Sequence, residues 1–294
     1  MKMNGKVALI IGGTRGIGKE TARALAAKGA TTVIVGRNRQ AGEAAARELG
    51  DRAEFMAADV SLLSEVRRLA GEFRSKYSRL DVLVHTADVL RTKREDTPEG
   101  FEVCFATNYL SRFLLNNLLL DLLEKSAPAR IIHVALAGIP GKLDLENVPP
   151  RPELSSFTAH NLGQRANDLY GVEMASRLQG KGVTINIMNP GIVDTDIRRS
   201  LPSGNKLAMS ILELILRPIT LEPGESAQQV MRLATEPALE GVSGKLFGRK
   251  GKPLRIRRSV RDPQRRRQLW ELSERLTQGT ARASSFAAGA AFSS

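Results

Sequence analysis

The chain has 294 residues, 42% of them hydrophobic, which is enough for one large α/β domain and too apolar for disorder throughout. Its formal charge of +13 would suit nucleic acid, a membrane surface or a polyanionic ligand, but the excess is local. Residues 245–267 hold eleven Lys or Arg against one acid, Asp262, and the rest of the chain is nearly neutral.

A single cysteine, Cys104, excludes an internal disulfide. Together with His85, His133 and His160 it offers no metal-ligand spacing, so no metal site is expected. No signal-peptide pattern precedes Lys6. The longest apolar runs, 114–123 and 207–219, are broken by polar residues and fall short of the roughly twenty a bilayer span needs. The expectation is a cytoplasmic protein with no membrane partner.

In chain order, strands are predicted at 7–11, 32–35, 53–56, 82–84, 130–134, 184–188 and 245–247. Between them lie helical segments at 18–28, 39–49, 61–77, 100–124, 159–178 and 224–234. The alternation predicts an α/β, Rossmann-like doubly wound fold: a mostly parallel seven-stranded sheet with helices on both faces, in a single domain. Two segments break the rhythm. Residues 201–221 form an apolar insertion, suited to a lid over a large nonpolar ligand, to a dimer contact or to plain core. After 248 comes a basic C-terminal extension, 249–278, with a helix at 263–276, and then an Ala/Gly/Ser tail, 279–294, that lacks the apolar mass to fold.

Gly12-Gly13-Thr14-Arg15-Gly16-Ile17-Gly18 follows the first strand and opens the first helix. Glycines there let the backbone turn tightly and approach a pyrophosphate, whose charge meets the helix N-terminal amides. About twenty residues on, at the end of the second strand, the chain reads Gly36-Arg37-Asn38, without the acid that would bind an unphosphorylated ribose. Arg37 there and Arg15 in the loop can both pair with a 2′-phosphate, so NADPH/NADP+ is the expected cofactor.

These glycines, with Asp59-Val60 after the third strand, Asn108 in the fourth helix and Asn189-Pro190-Gly191-Ile192-Val193-Asp194-Thr195 after the sixth strand, resemble the short-chain dehydrogenase/reductase family. The nearest branch is the retinol-dehydrogenase-like one, over about residues 6–248. The resemblance implies an NADP-binding catalytic domain at 1–248, with 201–221 as its substrate lid. It implies that Asp59 and Val60 hold the adenine, that Thr86 and Ala87 line the cofactor site, and that Pro190, Gly191, Ile192 and Thr195 border the nicotinamide; Asn108 either stands in the cofactor site or, with no Lys to complete the family's proton relay, is structural.

The catalytic positions depart from that pattern. Ala135 and Leu136 stand where family members carry serine, and alignment on Ala166-Asn167 puts His160 at the usual Tyr and Gln164 at the usual Lys. Tyr77, Tyr109 and Tyr170 are followed four residues later by Asp81, Phe113 and Met174, so no YxxxK exists. The family's Asn-Asn-Ala-Gly is here His85-Thr86-Ala87-Asp88. This set of losses resembles atypical ketoreductases of the family that lack Ser, Tyr and Lys and reduce angucyclinones, aromatic polyketides of antibiotic biosynthesis.

A missing general acid forfeits about 10²- to 10⁴-fold, whereas binding and orientation can supply roughly 7 to 11 kcal/mol. Hydride transfer can therefore survive, above all where a phenol beside the ketone stabilises the alkoxide. The expected substrate is a large, apolar, polycyclic ketone. His160 lies one helical turn from Gln164 on the same face, as an acid, as a substrate-orienting residue or as a packed one. His85 is expected along the cofactor's path and His133 inside its strand. The rival reading is a catalytically inactive NADP sensor or scaffold. The basic run has no interleaved aromatics, only Phe247 near its start and Trp270 beyond its end, so nucleic acid is not expected. Oligomeric state is open.

Overall fold

A run such as Val7-Ala8-Leu9-Ile10-Ile11, apolar at every position, is what a strand covered on both faces requires, and in the computed structural model it is strand β1 (Val7–Ile11), buried throughout. The structure describes residues 2–193 and 220–289. The other strands are β2 (Thr31–Gly36), β3 (Ala53–Ala57), β4 (Val82–His85), β5 (Ala129–Val134), β6 (Val183–Met188), the short β7 (Ile192–Val193) and β8 (Thr220–Leu221), and β9 (Leu246–Phe247). One seven-stranded sheet has the order β3-β2-β1-β4-β5-β6-β9, every pair parallel, and β7 and β8 pair separately.

Alternation along the strands sorts the core into two layers. Leu9, Ile11, Val33 and Val35 join one apolar cluster, while Ala8, Ile10 and Ile34 join the other. Helices α1 (Gly16–Ala27) and α2 (Arg39–Leu49) follow β1 and β2, and α3 (Leu63–Lys76) follows β3. Asn38 caps α2 by accepting from the Ala41 N–H at 2.9 Å. Ser155 caps the long α7 (Ser156–Arg177), and Pro223 with a Glu222/Glu225 capping box starts α8 (Pro223–Thr235). The fold is the doubly wound single domain that the alternation predicts. Its strand order reverses between β1 and β4, so the crevice at their carboxyl ends is where such a sheet takes a ligand.

The segment predicted as one helix over 100–124 is divided. It runs as α4 (Val103–Phe105), a π-helical turn (Ala106–Leu110), α5 (Ser111–Leu118) and α6 (Leu120–Lys125). Asn108 lies inside the π turn, where its side chain accepts from the Val89 N–H and donates to the Val89 carbonyl, both at 2.8 Å.

The basic extension forms α9 (Arg258–Arg261) and α10 (Pro263–Gly289). Its helix backbone passes the predicted end at 276, and where an unfolded tail is predicted from Gly279 it stays helical to Gly289. Alanine, frequent there, has the highest helix propensity. Helix α10 lies on α7 and α3. The Trp270 ring stacks on Tyr170 with centroids 5.7 Å apart, the Arg177 guanidinium sits 4.0 Å over Trp270, and the hydroxyls of Tyr109 and Ser273 bond at 2.7 Å. Arg249, Lys250, Lys252, Arg255, Arg257, Arg258 and Arg261 remain exposed, so much of the charge run is a solvated face.

Candidate functional site

The loop between β1 and α1 is a concave stretch of backbone. Gly12 (φ 84°) and Gly16 (φ 55°) take conformations that L side chains rarely adopt. A Cβ on Gly12 would lie 2.7 Å from the Ala87 nitrogen and 2.9 Å from Thr86 Oγ1, and one on Gly18 would overlap the Gly12 carbonyl. The Gly12 and Gly13 N–H groups donate to the Val35 carbonyl at 3.0 and 3.2 Å, while the Thr86 N–H and hydroxyl both donate to the Ile11 carbonyl at 2.8 Å. The loop is thus clamped between β2 and β4 at the switch point, with the first α1 amides free of intrahelical acceptors. The glycines let the loop pack this closely on Thr86 and Ala87, and the N-terminal amides of α1 suit a pyrophosphate. Arg15 is exposed at the N-cap, half-buried Thr14 packs its methyl against Gly36, and Ile17 turns its side chain into the core, leaving its N–H for a ligand.

Arg37 and Asp59, predicted from different segments, meet at the ends of β2 and β3: Arg37 Nη1 lies 3.8 Å from Asp59 Oδ2, with side-chain exposures of 55% and 36%. A pair so exposed is held weakly, and the guanidinium can turn to a phosphate. Asn38 serves as helix cap. Asp59 Oδ1 also accepts from the Ser61 N–H and hydroxyl at 3.0 and 2.7 Å, and Val60 is packed in the core. Gly191 (φ 78°) turns the chain after β6 and donates to Asn189 Oδ1 at 2.9 Å, and the Pro190 carbonyl accepts from Ser226 at 3.2 Å. Of Ile192 only the backbone, in β7, is described. Thr195 and residues 201–219 of the predicted lid lie outside the described residues.

Asn108 is fully buried with both ends of its amide used on Val89, the arrangement of its structural reading rather than of a cofactor contact. One expectation is corrected. His85, predicted along the cofactor's path, points inward, 1% exposed, and bonds Asn116 Oδ1 at 2.8 Å. The strand register forces this, since His85 stands opposite His133 on β5 and alternation sends both rings to one face. Asn116 Nδ2 in turn reaches His133 Nε2 at 2.9 Å and the Tyr170 hydroxyl at 3.0 Å, and His133 Nδ1 meets Asn167 Oδ1 at 3.2 Å. Burial, then the nearby Arg112 charge, pulls His85 down to about 3. His133 is lowered too, by burial first and then by His85 and Arg112. Both rings are neutral parts of a structural network.

His160 is where the sequence reading lacks a partner. Its Nε2 lies 3.0 Å from Oδ1 of Asp88, a carboxylate at the carboxyl end of β4 and immediately after Ala87. Gln164 Nε2 donates to the other oxygen, Oδ2, at 2.7 Å, while Gln164 Oε1 accepts from the Leu136 N–H at 2.9 Å. His160 Nδ1 is buried without a partner among the described residues. The predicted pair is therefore a triad with Asp88, standing beside the glycine cradle. Nothing in the spacing between residues 88 and 160 signals the contact; the one available hint is a carboxylate directly after a central strand. One turn beyond Gln164, Asp168 accepts from the Gly138 N–H at 2.9 Å. Burial pushes its carboxyl up to about 7, against the lowering effects of that bond and of Arg257.

No cluster of three or more metal-ligating side chains occurs among the described residues. No described helix is long and apolar enough to cross a membrane.

The short chain dehydrogenase family model matches residues 6–139. Retinol dehydrogenase 14 of Mus musculus is 34% identical, covering 92% of this chain and 86% of its own, and retinol dehydrogenase 13 of Homo sapiens is 34% identical over 92% and 84%. Among solved structures, an uncharacterised protein from Mycobacterium paratuberculosis superposes with a TM-score of 0.73 at 29% identity, covering 94% of both chains. The Pseudomonas aeruginosa RhlG/NADP active-site complex does so with 0.68 at 25% identity, over 85% of this chain and 96% of that one. With its glycine cradle at the switch point of a parallel sheet, the chain belongs to the short-chain dehydrogenase/reductase family of oxidoreductases.

Proposed function

We propose an NADPH-dependent ketoreductase that acts on a carbonyl of a large, apolar, polycyclic aromatic ketone of the angucyclinone type, without the family's Ser, Tyr and Lys. The observation that carries this reading is the cradle of Gly12, Gly16 and Gly18 against Thr86 and Ala87, with Arg37 at the adjoining strand end and no carboxylate at positions 36–38 to repel a 2′-phosphate. The cradle's amides and Arg37 would hold NADPH, which supplies a hydride for the carbonyl carbon. Asp59 turns its partly exposed carboxylate toward Arg37, and Pro190 and Gly191 shape the opposite wall. With Ala135 and Leu136 after β5, no hydroxyl stands there to bind the carbonyl oxygen. The charge developing on that oxygen falls to the substrate's own hydroxyl, and His160, held at the end of β4 by Asp88, orients the substrate.

The test is deuterium transfer from nicotinamide-deuterated NADPH to polycyclic ketones with and without a neighbouring phenol, read by mass spectrometry. Label confined to the phenol-bearing products supports the substrate-assisted reaction. Label in both kinds assigns the proton to the protein. Protein that binds NADPH and labels nothing in the panel is a sensor or scaffold rather than a reductase. His160→Phe should cut label transfer about tenfold or more if the ring participates.

A further inference from the structure

Asp88 has no role in the reading of the sequence, yet it joins the only two side chains that stand at the Tyr and Lys positions. Its environment determines where protons sit. A backbone N–H can only donate, so the Leu136 N–H at 2.9 Å fixes Gln164 Oε1 as the acceptor end of its amide. The other end, Nε2, must then donate, and it does so to Asp88 Oδ2 at 2.7 Å. The remaining carboxylate oxygen, Oδ1, faces His160 Nε2 at 3.0 Å, and an ionised carboxylate accepts only. The donors therefore converge on Asp88: the Leu136 N–H sets the Gln164 amide, and Gln164 and His160 each donate to one carboxylate oxygen. The 3.2 Å approach of Gln164 Nε2 to His160 Nε2 is two donors converging on one carboxylate.

We propose that Asp88 is a positioning residue that sets the tautomer and orientation of His160, holding the neutral ring with its proton on Nε2 and its lone pair on Nδ1. Nδ1, which is buried and has no partner among the described residues, is then the ring atom that carries the lone pair. Leu136, at the end of β5, supplies the anchor through its main chain, so the loop after β5 orients the site with no side-chain hydroxyl of its own. This inference rests on reading His160 as a residue of the reaction site.

Asp88→Asn provides an isosteric test because an amide has one accepting and one donating end. Gln164 Nε2 can only donate, so the amide oxygen at position 88 must face Gln164, and its NH2 must face His160. The ring then has to accept at Nε2 and carry its proton on Nδ1. In protein labelled with [15N]histidine, two-bond nitrogen–proton couplings distinguish the two tautomers, and His160→Phe identifies the signal among the three histidines. The expected result is the Nε2–H form in the wild type and the Nδ1–H form in Asp88→Asn. Gln164→Leu, which leaves the carboxylate in place, should keep Nε2–H. With the wrong tautomer, hydride transfer should fall at least about tenfold while NADPH affinity stays within about twofold, the split expected when orientation rather than binding is lost.

A wild-type ring protonated on Nδ1, or a tautomer unmoved in Asp88→Asn, overturns the proposal whatever the turnover. A switched tautomer with undiminished hydride transfer overturns the positioning role. A switched tautomer in a protein that reduces no ketone leaves the assignment of Asp88 standing and removes the ketoreductase reading instead.

Discussion

Opposing buried titrations give stability a pH dependence that a single substitution should expose. His85 is held neutral, with its pKa drawn down to about 3 by burial and by the Arg112 charge, whereas in the unfolded chain it titrates near 6.5. A base depressed in this way keeps its full contribution above 6.5 and loses it as pH falls toward 3, because only the unfolded chain takes up the proton. At pH 5.5 the loss from His85 is about 1.4 kcal/mol, and His133, shifted in the same direction, adds to it. Asp168 works the other way. Its carboxyl is pushed up to about 7 by burial, from an ordinary 3.8, so the folded protein takes up the proton first. Lowering the pH from 7.5 to 5.5 therefore returns about 2 kcal/mol at this site.

The two effects oppose each other in the wild type. Asp168→Asn keeps an acceptor for the Gly138 N–H and removes the titration, so the gap between wild type and variant should change by about 2 kcal/mol between pH 7.5 and 5.5, in favour of the wild type at the lower pH. Urea unfolding followed by fluorescence of Trp270, the sole tryptophan, measures both proteins at each pH. Parallel profiles, with a gap constant to within about 0.5 kcal/mol, would refute the argument that Asp168 is protonated on burial.

Arg37→Asp replaces a phosphate-pairing cation by an anion and should weaken NADPH relative to NADH roughly ten- to a hundredfold, checked by the ratio of their dissociation constants. An unchanged ratio would remove Arg37 from the cofactor site. Gly18→Ala drives a methyl to 2.5 Å from Thr86 Oγ1 and into the Gly12 carbonyl, so NADPH affinity should fall at least about tenfold. The control Gly71→Ala, on exposed α3 with nothing within 4 Å, should instead stabilise by about 0.5–1 kcal/mol. Trp270→Ala removes the ring between Tyr170, Phe113 and Arg177 and should cost about 3–5 kcal/mol, read by far-ultraviolet circular dichroism during thermal or urea unfolding. A cost below about 1 kcal/mol would mean that α10 is not docked on α7 in solution.

Much of the fold was legible because its signals are local. Five consecutive apolar residues ending in glycines can serve as a strand entering a phosphate loop, and the predicted bounds of β1 and α2 match those observed. The alternation of such strands with helical segments leaves few topologies open to a parallel sheet. The misreadings sit where a nonlocal contact overrides a local pattern. An apolar run over 100–124 carries a helical period throughout, yet it holds a π turn at Asn108, whose amide bonds to distant Val89. His85 follows the glycine cradle closely in space, but which face it takes is set by strand alternation, and that face is the interior.

The candidate site divides along the same line. A phosphate cradle needs absence, glycines with no Cβ at fixed short spacing, and absence of that kind is written in consecutive letters. The polar group beside it needs presence, a carboxylate, an imidazole and an amide brought together from distant segments: β4, the end of β5 and the middle of α7. In a chain read one segment at a time, Asp88 is a departure from a glycine and His160 lacks a carboxylate. Only the adjacency of β4 and β5 supplies the link, because it sets the residue after β4 beside the loop after β5, over which α7 is laid. With Ala135 and Leu136 after β5 and His160 and Gln164 on α7, the crevice is not an apolar void. It holds a hydrogen-bonded carboxylate, imidazole and amide, in which the Leu136 N–H sets the amide and the Asp88 carboxylate faces both side chains.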